Sequence, residues 1–181
     1  MMSTVNASFA KLLEYELRAR GAAHGDEDGG PAKGDWAGLA FRVGGAQMVC
    51  GMERVSESLP LPQVTRVPGT KPFILGLANV RGDLVTIVDL GCYLSGQRTR
   101  TSPATRVLSS TLRGRAVGLV VDEVFGQRNF LDNDADPADV PDSSPLHGLV
   151  RRAHRAGSES WQELDLDTLF RNPDFLDGAA A

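Results

Sequence analysis

From Trp36 onward the sequence is cut into short apolar runs by glycine-bearing turns, and this spacing constrains the fold more than any other feature. Such runs are too short for core helices and have the length and alternation of β-strands. Residues 39–43 and 47–50 read as a strand pair around a Gly44-Gly45 turn. Residues 53–59 read as a short helix, and Pro60, Pro62 and Pro68 then impose extended chain. Residues 73–80 and 84–90 form the next pair, joined by Arg81-Gly82-Asp83, in which Gly82 can take a positive φ. In the second of these strands Leu84 and Val88 lie on one face and Val85 and Ile87 on the other. A strand apolar on both faces implies a sheet covered on both sides, as when two barrels pack together.

The pattern then returns. Residues 106–112 read as a strand, Arg113-Gly114 as its turn, and residues 116–124 as one further strand. In both halves an Arg-Gly turn precedes an apolar strand ending in Val-Asp, at Val88-Asp89 and Val121-Asp122. Residues 132–145 are acidic and proline-bearing and read as a loop. Residues 149–153 and 161–164 read as the last strand pair, and residues 166–170 as a short helix stopped near Pro173. The fold class is all-β with short helices. Ahead of it, residues 8–20 read as an amphipathic helix with Phe9, Leu12, Leu13 and Leu17 near one face. A Gly/Asp/Glu/Pro-rich linker follows, so the helix is tethered to the barrels, either as a free tail or docked on its own domain or a partner. The expected organisation is residues 1–35 helix and linker, 36–172 the β domain, and 173–181 a C-terminal tail.

Several classes of function drop out early. Nineteen Lys and Arg against 23 Asp and Glu give a net charge of −4, which offers no bulk attraction to nucleic acid or anionic lipid. An oligonucleotide- or small-ligand-binding barrel is the rival from another class; it fits poorly with 6% aromatics and three lysines, Lys11, Lys33 and Lys71. No phosphate-cradling loop, dinucleotide fingerprint, zinc-protease helix or nucleophile elbow occurs. His24 lies in the linker, and His147 and His154 read as solvated or capping residues. Asp122 and Glu123 are adjacent, so on a strand they point to opposite faces and cannot act as a carboxylate pair. Cys50 and Cys92 belong to no metal-binding spacing and read as buried thiols of a reducing compartment. No enzyme activity and no cofactor or metal is expected. The first twenty residues hold no apolar run of signal-peptide length, and no stretch approaches the ~20 apolar residues of a membrane span. The expectation is a cytoplasmic chain without membrane insertion, brought to a membrane by a partner.

One ordered set of motifs is specific. Val64-Thr65-Arg66-Val67-Pro68 is followed by Ala78-Asn79-Val80-Arg81-Gly82, then by Ile87-Val88-Asp89-Leu90. Further on come residues 118–124, GLVVDEV, and Glu163-Leu164-Asp165-Leu166. This set resembles the CheW-like adaptor family over residues 36–170, and within it the PilI type that serves type IV pilus twitching systems. The tethered N-terminal helix, residues 121–126 and the His147-Gly148 strand entry point to that type. The sequence departs from the family at Ser58, where an apolar residue is usual, at Thr86, where proline is common, and at Gly91, where arginine is common.

The resemblance implies two packed five-stranded barrels without an active site. It implies binding to a CheA-type histidine kinase through that kinase's CheW-like regulatory domain, and to the cytoplasmic tip of a methyl-accepting chemoreceptor, PilJ-like for this type. It places the protein in receptor arrays at the inner membrane; a flagellar chemotaxis adaptor is the near alternative. Val55, Glu57, Asn79, Arg81, Gly82 and Asp89 are the partner-binding residues it implies.

Overall fold

The computed structural model describes residues 35–131, 135–138, 140–156 and 158–178; the helix and linker read over residues 1–34 lie outside them. Among the described residues eleven strands form two sheets. The first contains β1 (Asp35–Val43), β2 (Ala46–Gly51), β8 (Glu123–Leu131), β9 (Ala135–Pro137), β10 (Val150–Ala156) and β11 (Glu159–Leu164), in the order β8-β1-β2-β11-β10-β9. The second contains β3 (Glu57–Pro60), β4 (Ile74–Val80), β5 (Asp83–Asp89), β6 (Arg106–Leu112) and β7 (Arg115–Val121), in the order β3-β6-β7-β5-β4. Three short helices complete the domain: α1 (Leu90–Ser95), α2 (Leu166–Arg171) and α3 (Pro173–Leu176).

Alternation along the strands sorts side chains into three cores. A large central core takes Leu39, Phe41 and Val43 from β1, Val88 from β5, and Val117, Leu119 and Val121 from β7. The opposite faces supply two inner cores. Val85, Ile87, Val107 and Val120 fill one, with Leu59 and Val80 packed against them. Ala40, Val49, Phe130 and Trp161 fill the other, with Trp36 and Phe125 against them. Every strand of the second sheet thus contributes to one inner core. At about 4.8 Å between neighbouring strands, a flat sheet would keep its edges too far apart for that, so the sheet curls. Its edges also touch: Thr65, in the chain after β3, bridges Leu77 of β4.

Four expectations are corrected. The run 116–124 is two strands in different sheets. Asp122 separates them, its N–H bonded to the Arg42 carbonyl at 2.9 Å and its carboxylate accepting from Gly45 N–H at 3.3 Å. Residues 53–59 do not form one helix. A 3-10 turn, Met52–Arg54, gives way to β3, where Glu57 stands opposite Ser109 and the β6 backbone takes up the hydrogen bonds. His154 is buried, stacked on Trp36 with ring centroids 4.8 Å apart, its Nε2 2.8 Å from Glu163. Pro173 stands at the start of α3, whose Phe175 is buried against Phe73 and Phe170, so residues 173–178 of the expected tail pack onto the central core. Beyond its five longer strands, the first sheet carries a short sixth of three residues, β9.

Candidate partner-binding site

The β4–β5 hairpin turns on two residues, Arg81 at φ 55° and Gly82 at φ 96°, between the paired residues Val80 and Asp83. Two successive positive φ angles define the turn whose twist matches a β-hairpin. Arginine adopts this conformation at a cost, and the side chain of Asn79 offsets part of it by accepting a hydrogen bond from Gly82 N–H at 3.0 Å. Arg81 reaches across to Glu57 of β3, with Nη2 2.9 Å from Oε2. The glutamate side chain is only 18% exposed and the arginine 63% exposed, so the pair ties an exposed guanidinium to a largely buried carboxylate. Leu84 stands directly opposite Asn79 in the register and is 67% exposed. The strand pattern placed Leu84 on an apolar face like that of Val88, but position 84 lies beside the turn, beyond the cover that buries Val88. An exposed leucine beside a braced arginine is therefore a site feature that alternation alone conceals.

The sequence-derived site residues fall into three places. Glu57, Asn79, Arg81 and Gly82 come together at this edge. Val55 follows the 3-10 turn and is half-buried against the central core, and the next residue, Ser56, bonds the Ser109 carbonyl to start β3. Asp89 is at the other end of β5, about 20 Å from the turn at the rise of a strand. It is 2% exposed and caps α1, accepting from Cys92 N–H at 2.9 Å and from Thr99 N–H at 3.0 Å and Thr99 Oγ1 at 2.7 Å. Its oxygens are engaged in holding the 96–99 loop against the helix.

Asp165 repeats this arrangement at the start of α2, accepting from Asp167 N–H, Thr168 N–H and Arg151 Nε. Burial alone would raise its carboxyl; the bonds from Thr168 and Arg151 outweigh it and hold the group below its ordinary value. Burial, helped by Glu53, pushes the Cys50 thiol up to about 12, and burial raises Cys92 as well, so neither is poised as a nucleophile. Among the described residues no group of His, Cys, Asp and Glu has the geometry to hold a metal ion. No described helix is long and apolar enough to cross a membrane. Beside the second Arg-Gly turn a groove of about 780 Å³ runs between Val67, Ile74, Val117 and Phe175, with Arg113 in its wall.

Two sheets sharing a central core, with exposed side chains braced at the edge of the curled one, define a β scaffold that presents surface. The family model of the CheW-like domain matches residues 37–174. Protein PilI of Pseudomonas aeruginosa is 32% identical over 98% of this chain and 99% of its own length. Protein FrzA of Myxococcus xanthus is 31% identical over 66% of this chain and 71% of its own. The crystal structure of the scaffolding protein TtCheW from Thermoanaerobacter tengcongensis superposes with a TM-score of 0.66, at 20% identity, over 76% of this chain and 93% of that one. The chain belongs to the CheW-like domain family.

Proposed function

We propose that this protein is a non-enzymatic adaptor that couples a methyl-accepting chemoreceptor to a CheA-type histidine kinase in a type IV pilus system. The observation that carries the site is the Arg81–Glu57 pair beside exposed Leu84. A guanidinium held in place by a half-buried glutamate loses less side-chain freedom on docking than a free one, and an adjacent apolar side chain supplies area to bury. Glu57, Asn79, Arg81 and Gly82 form the contact edge, Val55 supports it from the core, and Asp89 acts through the loop it holds. The near full-length similarity to a PilI protein supports the pilus assignment, with a PilJ-like receptor as partner. The adaptor works in the cytoplasm, recruited to receptor arrays at the inner membrane. The test is retention of the purified chain by the kinase's C-terminal regulatory domain and by the receptor's cytoplasmic hairpin, each immobilised separately. Both should retain it; retention by neither would end the proposal.

A further inference from the structure

We infer that the groove beside the second Arg-Gly turn is a docking site for residues 8–20 of this same chain, which lie outside the described residues. The groove, about 780 Å³, opens onto the central core. Buried Val117 and Phe175 and half-buried Ile74, Leu112 and Leu176 line it, with exposed Val67 at its rim. Its wall is fixed. Lys71 donates its N–H to the Gly178 carbonyl at 2.9 Å, and the Thr70 hydroxyl donates to the Val67 carbonyl at 2.9 Å, so the chain before β4 is tied to the chain after α3. Filling a preformed apolar groove costs little ordering. Among the described residues, the charged groups that line it are Arg113 and Arg115; no carboxylate lines it, and neither arginine is paired with one. Lys71 and Asp177, each next in sequence to a lining residue, neutralise each other at 3.4 Å.

Three features of residues 8–20 suit this groove. Phe9, Leu12, Leu13 and Leu17 stand at i, i+3, i+4 and i+8, the anchor spacing of an amphipathic helix laid in an apolar groove. Glu16, at i+7, falls on the same stripe, where an acid is costly unless the opposing surface offers a cation. Arg113 and Arg115 offer two. Lys11, Glu14 and Arg18 fall on the far side, and Arg20 ends the segment beside Gly21. The third feature is reach. Trp36, where the chain enters the domain, lines a cleft with Leu166 and Asp167 of α2. From there to the groove wall in α3 is no more than about 20 Å along the two helices. The glycine-rich stretch 21–34 covers about 20 Å as a coil and up to about 45 Å when extended. On such a tether the segment is present at an effective concentration on the order of millimolar, so a free competitor for the groove must displace it.

The experiment uses the full chain, followed by amide chemical shifts and by the fluorescence of an anilinonaphthalene sulfonate dye. Leu13→Asp/Leu17→Asp should move the amides of residues 67–70, 112–117 and 175–178 and leave those of β10 in place. Dye fluorescence should rise about twofold or more as the groove is uncovered. Glu16→Arg should move the same amides. Adding Arg113→Glu/Arg115→Glu, at two exposed positions, to Glu16→Arg should return the amides of residues 67–70 and 175–178 to their parent positions. Groove amides unmoved in Leu13→Asp/Leu17→Asp, shifts gathered on another face, or no recovery in the charge-swapped variant would overturn the docking. Shifts that grow with protein concentration would put the segment on a second copy and overturn docking within one chain. Neither receptor nor kinase is in the sample, so the outcome is independent of the adaptor reading.

Discussion

The two Arg-Gly hairpins have nearly the same backbone and differ in everything attached to it. Arg81 and Arg113 sit at φ 55° and 50°, followed by Gly82 at 96° and Gly114 at 78°. At the first turn Asn79 bonds the glycine N–H and Glu57 pairs with the arginine. At the second, Thr111 occupies the place of Asn79, and no carboxylate pairs with Arg113 among the described residues. The dipeptide therefore sets the turn, and residues distant in sequence decide what the turn does. Arg81 is ordered before any partner arrives. Arg113 would have to give up roughly 1.5–2 kcal/mol of side-chain freedom to make an equally fixed contact.

The largest effect should come from the far end of the first hairpin. Asp89→Ala removes the acceptor of three donors, two of them backbone N–H groups, and should lower unfolding free energy by about 3 kcal/mol or more, measured by urea denaturation. A loss below about 1 kcal/mol would mean that the 96–99 loop holds itself, and that Asp89 is free to contact a partner directly.

Next in size, Arg81→Ala should weaken binding to kinase or receptor by ~1–3 kcal/mol in titration calorimetry, with the melting temperature nearly unchanged because the arginine side chain is itself largely exposed. Arg81→Lys should recover part of the loss. Arg113→Ala should cost less than Arg81→Ala with either partner. Equal losses at the two arginines would show that the brace from Glu57 contributes nothing.

Smaller still, Gly82→Ala and Gly114→Ala should each lower stability by about 1–2 kcal/mol, and by similar amounts, since each forces a Cβ into the left-handed region. A clear difference between them in thermal unfolding would break the equivalence of the two backbones. The smallest effect is at the brace itself: Asn79→Ala should cost about 1 kcal/mol, whereas Thr111→Ala should stay within about 0.5 kcal/mol. A Thr111→Ala variant as damaged as Asn79→Ala would reveal an equivalent bond at the second turn.

Both hairpins were legible because glycine after arginine between apolar runs leaves few alternatives. The buried positions Val85, Ile87 and Val88 of β5 were legible from alternation, and the ordered motifs carried the resemblance that names the family. The boundary between β7 and β8 was not. Residues 116–124 alternate without interruption, and what divides them is a bond from Asp122 to the carbonyl of Arg42, eighty residues earlier. His154 escaped notice because its flanking residues in β10 include three arginines, whereas its partners Trp36 and Glu163 come from other strands. The Arg81 edge was half legible: its residues were named by motif, but the pairing of Glu57 with Arg81 depends on β3 and β4, opposite edges of one curled sheet. Leu84 was misplaced because strand alternation shows which residues share a face, and the end of a strand can outrun the layer that covers it.

The strands that divide the cores leave little latitude for sequence drift. In β7 Val117, Leu119 and Val121 face the central core and Val120 an inner one, and a Cβ on Gly118 would stand 2.5 Å from Val107. No side chain in that stretch has a solvent face to which a polar replacement could turn. Neutral change is confined to the rims, where the turns and loops proposed to meet partners also lie. Surfaces of this protein can thus diverge to suit a new receptor or kinase while the wall between the cores stays nearly fixed.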